Sequence, residues 1–154
     1  MSSLSHSESV TVASSPDDLY DLVCDVARIG EWSPVCTACW WDEGDSARVG
    51  ARFTGRNEIP GRTWETRCEV VAAQRGREFA FVVGESYVRW GFTFTGIEGG
   101  TQLTESWDFL PAGIAMFQSK FGADADREIA DRTQAAHHGI PVTLAAIKKT
   151  AETV

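Results

Sequence analysis

Apolar and polar residues alternate from Tyr87 to Phe109, on both sides of a Gly99-Gly100 pair. A period of two is that of a strand with one buried face. Glycine accepts the positive φ that a tight turn requires, so the stretch predicts a β-hairpin with Gly99-Gly100 as its loop. That register sets Gly96 opposite Leu103, Phe94 opposite Glu105, Phe92 opposite Trp107 and Trp90 opposite Phe109, all on one face. The other face carries Arg89, Gly91, Thr93, Thr95, Thr104, Ser106 and Asp108, with Ile97 the apolar exception near the turn. Glu105 interrupts the apolar face. Either it is paired with a partner elsewhere, or the face lines a cavity rather than a solid core.

The same alternation predicts strands over residues 5–13, 36–42, 51–58, 63–71 and 77–83. Phe53, Gly55 and Asn57 share a face, as do Trp64, Thr66, Cys68 and Val70, and then Phe79, Phe81 and Val83. Pro60-Gly61 and Arg75-Gly76 mark the turns between these strands. The opposite faces carry mixed charges, as a solvated sheet face does. A helical period enters after residue 14. Ser15 suits a helix cap, Pro16 the first helical position, and Asp17 and Asp18 the positive helix end. Leu19, Leu22, Val23 and Val26 form its buried stripe, and the helix is expected to end near Gly30. Trp32-Ser33-Pro34 is a break. Pro111 to Gly113 ends the strands, and residues 114–153 are helical in pattern. Ile129, Thr133, Ala136, Ile140, Leu144 and Ile147 give a long stripe, with a kink or break expected near Gly139 because of Pro141. Ile114, Met116, Phe117 and Phe121 suggest a separate helical turn or lid before it.

The order is strand, one or two helices, six strands, long helix. An antiparallel sheet with one apolar face must cover that face, and only the C-terminal helix is long enough to do so. The 154 residues suit one domain spanning 1–154. Six tryptophans and eight phenylalanines are a heavy load at this size. Rings on a concave sheet cannot all reach one helix, so a gap between sheet and helix is expected.

The formal net charge of −8 argues against a nucleic-acid partner. No basic leader, apolar leader core or membrane-length apolar run is present, so a cytoplasmic protein is expected. There is no G-x-S-x-G, phosphate-binding glycine loop, H-E-x-x-H or dinucleotide fingerprint, and no cofactor or metal is expected. Cys36-Thr37-Ala38-Cys39 is formally a redox or half-zinc motif. No second pair follows, and Trp40-Trp41 beside it marks a strand entering the core, so the cysteines are read as structural.

The element order, Glu31-Trp32-Ser33-Pro34, the run from Gly50 to Asn57, Trp64, and Gly99-Gly100-Thr101 leading to Thr104-Glu105-Ser106-Trp107 resemble the START-like or SRPBCC superfamily. Within it they are most similar to the polyketide cyclase/dehydrase and lipid-transport group of actinobacterial type. The resemblance covers nearly the whole chain. It implies an α+β helix-grip fold: a curved antiparallel seven-stranded sheet wrapped around a long C-terminal helix, with an internal ligand cavity. It leaves the activity open, since the family mixes cyclases, hydrolases, carriers, receptors and chaperone activators.

Glu105 is the first candidate for chemistry. A carboxyl facing an apolar cavity has a raised pKa and can serve as general acid or base in a cyclisation or dehydration. Against that stand an inward polar partner such as Asn57 or Thr66, or a bulge that turns it outward. Asn57 and Thr66 are placed to bond a ligand carbonyl or each other. The expected inner surface comprises Trp32, Trp40 or Trp41, Phe53, Trp64 and Phe79, continuing through Phe81, Trp90, Phe92, Phe94 and Trp107. Trp32, Trp64, Trp90 and Met116 are the preferred ligand walls, near strand ends. His137, beside the long stripe, is a second proton carrier if it faces the pocket and otherwise a surface residue, as is His138. His6, near the N-terminus, is assigned no role. Three functions fit: a carrier or sensor of a hydrophobic small molecule of lipid or polyketide-like class, a cyclase/dehydratase using Glu105, or a protein-interaction module, a homodimer among its forms, with a collapsed cavity.

Overall fold

The computed structural model describes residues 4–153. Strand β1 (Ser5–Val12) leads into helix α1 (Pro16–Val23) and a 3₁₀ helix, Val26–Glu31. A meander follows: β2 (Cys36–Glu43), β3 (Arg52–Ile59), β4 (Arg62–Gln74), β5 (Glu78–Val83), β6 (Val88–Ile97) and β7 (Gly100–Phe109). Helices α2 (Pro111–Phe121) and α3 (Ala125–Glu152) close the chain. The seven strands form one curved antiparallel sheet in the order β1-β7-β6-β5-β4-β3-β2, gripped around α3. This is the expected helix-grip arrangement.

The faces follow the alternation. Phe53, Val70, Phe79, Phe92, Phe94, Leu103 and Trp107 are buried on the inner side with Ile140, Leu144 and Ile147 of α3. Ser15 caps α1 by accepting from the Asp18 amide at 3.2 Å, and Pro16 occupies the first turn.

Four details differ from expectation. The hairpin loop is Glu98-Gly99, so the register is displaced by two residues: Phe94 pairs with Leu103, Phe92 with Glu105 and Trp90 with Trp107. Only Gly99 takes the positive φ, +83°. Gly100 is needed in the strand instead, because a Cβ there would lie 2.1 Å from the Val12 carbonyl oxygen of β1. A shift of two preserves which residues face inward, so the faces hold while the partners change. Second, α1 stops at Val23, and the next segment is redirected onto β2. Gly30 there backs so closely on the sheet that a Cβ would meet the Thr37 carbonyl oxygen at 2.4 Å. Third, Pro111 does not merely end a strand. It opens the three-turn helix α2, where its missing N–H costs nothing. Fourth, α3 stays helical through Pro141, held by buried Ala136 and Ile140 before it and Thr143, Leu144 and Ile147 after it.

Candidate functional site

The grip has two unlike ends. At one end α1 acts as a plug. Leu19, Tyr20 and Val23 are buried, and Tyr20 meets Phe94 edge-on at 5.5 Å and Phe79 at 6.5 Å. Val12, Leu103 and Ile147 complete a dry core there. At the other end lie the start of β4, the end of β5, the start of β6 and helix α2. Here Trp64, Phe81, Val83 and Trp90 face inward yet are only half-buried. Met116 and Phe121 of α2 and Ile129 of α3 are half-buried as well. The backbone of α3 approaches the sheet most closely at β1 and β7. The rings at the β4–β6 end are therefore less completely covered than those at the α1 end, although they pack against the same core.

The expected site residues divide between these settings. Phe53, Phe92, Trp107 and Trp32 are packed core. Trp32, expected near an opening, is 4% exposed and lies beneath the Arg28 guanidinium. Phe53 sits edge-on to Phe81 at 5.0 Å and to Trp41 at 5.6 Å. Trp64, Phe81, Trp90 and Met116 belong to the β4–β6 end. Asn57 is buried and its amide donates to the Thr66 hydroxyl at 3.3 Å and the Trp64 carbonyl at 3.5 Å. That donor is thus satisfied within the protein. His137 is exposed and stacked on His6, with ring centroids 3.9 Å apart, and His6 bonds Glu8 at 2.7 Å.

Glu105 stands between the two ends. It is 4% exposed, and its Oε1 has no hydrogen-bond partner among the described residues. Its cross-strand neighbours are Phe92 on β6 and Glu8 on β1. Burial pushes its pKa well above the ordinary carboxylate value, and the nearby Glu8 carboxylate raises it further. A buried, protonated carboxyl can donate to a carbonyl, and after losing its proton it can act as a base.

Three features escaped the sequence reading. Arg132 of α3 reaches over the β4–β6 end, 5.9 Å from the Trp64 ring and 5.4 Å from the Phe117 ring. Desolvation lowers its pKa, with Arg62 adding to the effect, and Arg62 itself lies over the same Trp64 ring at 4.8 Å. The spacing of three between Ile129 and Arg132 was the available signal. His6, assigned no role, is stacked on His137, a contact that only the packing of α3 on β1 reveals. Cys36 and Cys39, a formal C-x-x-C read as structural, have their sulfurs 3.1 Å apart. A surface cleft of about 700 Å³ lies away from all of these, between Ser14, Asp18, Leu22 and Arg28 and the end of α3 at Thr150–Glu152, and includes none of the expected ligand residues. No helix among the described residues is long and apolar enough to cross a membrane.

A seven-stranded sheet gripping a C-terminal helix, with aromatic rings left half-buried at one end, defines a START-like, SRPBCC-type protein. Residues 3–137 match the family model described as polyketide cyclase/dehydrase and lipid transport, and the chain belongs to that family. It is 47% identical to a polyketide-cyclase-like protein of Corynebacterium glutamicum solved by NMR, covering 99% of this chain and 93% of that one, with a TM-score of 0.73. A protein of Nitrosomonas europaea shares the fold at 11% identity, with a TM-score of 0.71, covering 99% of this chain and 97% of that one. So does the di-domain ARO/CYC protein StfQ of the steffimycin biosynthetic pathway, at 17% identity and a TM-score of 0.68, covering 97% of this chain and 51% of that one. No curated protein matches the chain.

Proposed function

We propose that the protein binds a hydrophobic small molecule of lipid or polyketide-like class, inserted between the β4–β6 face and helices α2 and α3. The observation that carries this reading is the set of inward-facing rings left half-buried at the β4–β6 end, while Leu19, Tyr20 and Val23 of α1 are buried at the other. Exposed apolar surface of this kind marks a binding site more than a folding requirement. An apolar fluorescent probe should bind the folded protein. Trp64→Ala or Trp90→Ala should weaken it by about ten- to a hundredfold, since covering one such ring contributes about 1.5–3 kcal/mol. Native mass spectrometry of the purified protein would identify a retained ligand. Variants that bind the probe as the parent does would sink the reading.

A second reading, cyclisation or dehydration with Glu105 as acid or base, is favoured by its unpartnered oxygen. In its protonated form Glu105 would donate to a ligand carbonyl. In its ionised form it would take a proton from the adjacent carbon. If Glu105→Gln keeps both probe affinity and every assayed turnover while stability rises, the carboxyl has no catalytic part.

A further inference from the structure

In a regular strand, residues three apart point to opposite faces, so Cys36 and Cys39 of β2 would be separated by the sheet. Here they are not. Cys36 pairs with Asn57 of β3 and Ala38 with the adjacent Arg56, which leaves Thr37 as an extra residue. This bulge restores even spacing, and Cys39 then pairs with Gly55 on the same inner face as Asn57. The two sulfurs stand 3.1 Å apart, roughly 1 Å beyond a disulfide bond. Gly55 makes the room: a Cβ there would lie 3.3 Å from the Cys39 sulfur and 3.4 Å from that of Cys36. Cys36 is partly exposed and Cys39 is buried behind it.

We propose that Cys36 and Cys39 are a redox-active dithiol that closes to a disulfide across the β2 bulge. Their chemistry is unequal in the way such a pair needs. The hydrogen bond from Cys39 holds the Cys36 thiol below its ordinary range, and that same bond pushes Cys39 upward. The exposed member is therefore the attacking thiolate. The oxidant is a low-molecular-weight disulfide. The Cys36 thiolate attacks one of its sulfurs, the S–S bond breaks, and the departing thiolate takes up a proton. Cys36 is now a neutral mixed disulfide, so the bond that held Cys39 protonated is gone. Cys39 loses its proton, attacks the Cys36 sulfur and expels the second small thiolate, which that proton neutralises. Two protein thiols lose two electrons, and the small disulfide becomes two thiols. The closed loop is only four residues long, so the bond constrains the unfolded chain little and suits a reversible switch better than a structural staple. The other two thiols have partners of their own: Cys24, at the end of α1, donates to the Asp21 carbonyl oxygen, and buried Cys68 is hydrogen-bonded to Thr66.

The test uses the reduced, folded protein treated with oxidised glutathione near pH 8. After removal of the reagent, the protein is denatured and alkylated without reduction. Two of the four cysteines should be blocked, and peptide mapping should find Cys36 joined to Cys39, with Cys24 and Cys68 alkylated. Cys39→Ser should stall as a stable glutathione adduct on Cys36. The proposal is overturned if all four cysteines are alkylated, if the bridge includes Cys24 or Cys68, or if the parent protein stops at the Cys36 adduct. None of these outcomes depends on a bound ligand.

Discussion

Replacing Glu105 with methionine, which is similar in length and apolar, tests the central oddity of the interior. Glu105 is 4% exposed, and one carboxyl oxygen lacks a partner among the described residues. A buried unsatisfied polar group costs about 1–3 kcal/mol. Glu105→Met should therefore stabilise the folded protein by about that much, a rise in Tm of about 2–12 °C for a chain of this size. The pH dependence is the sharper signature. Burial raises the folded-state pKa of Glu105 above its ordinary value of 4.5. Between those two values the folded state holds a proton that the unfolded state has lost. The contribution of Glu105 to stability is thus greatest below pH 4.5 and falls as pH rises toward its folded pKa, by up to about 1.4 kcal/mol per pH unit. The methionine side chain carries no titratable proton, so the advantage of the variant should widen as pH rises from 4.5 toward the folded pKa of Glu105. Urea melts of both proteins across that range supply the numbers, and comparing differences cancels every other titrating group except those coupled to Glu105, chiefly Glu8. A variant that is less stable, or an advantage that does not change with pH, would refute the picture of an unpaired, reluctantly ionised carboxyl.

Two further outcomes follow from the same geometry. Arg132, ion-paired with Glu128 at 3.5 Å, presents a partly buried guanidinium over Trp64 and Phe117. Arg132→Gln should weaken binding of a fatty-acid-like carboxylate about tenfold while leaving the matching neutral alcohol unchanged, a split measured by competition with the fluorescent probe; equal losses for both would refute a charge role. Gly100→Ala forces a Cβ to 2.1 Å from the Val12 carbonyl oxygen, and should cost about 1–3 kcal/mol or more. Hydrogen exchange should show the loss concentrated in β1 and its pairing with β7, and a uniform loss across the sheet would contradict the close approach.

Much of the architecture was written in local patterns. Period-two alternation decided the inner and outer face of nearly every strand, because a pleated strand leaves no other choice. Ser15-Pro16 marked the start of α1, and Ile129 to Ile147 marked the gripped stripe of α3. Glu105 stood out as the one carboxyl on the apolar face of the hairpin before any fold was known.

Other features depended on contacts between segments distant in sequence, to which local pattern is blind. The hairpin register was one: parity constrains faces but is indifferent to a shift of two. It was decided by β1 passing over Gly100. Continuous packing on both sides of Pro141 carried α3 through a residue that breaks isolated helices. The sequence alone could not tell which rings are fully buried and which stay half-exposed, since Phe53 and Trp64 look alike in the pattern. The plug of α1 at one end and the less complete cover at the other separate them. The pairing of Cys36 with Cys39 is the plainest case. Odd spacing on a strand parts two side chains, and only a bulge, formed by the match of β2 to β3, brings them to one face.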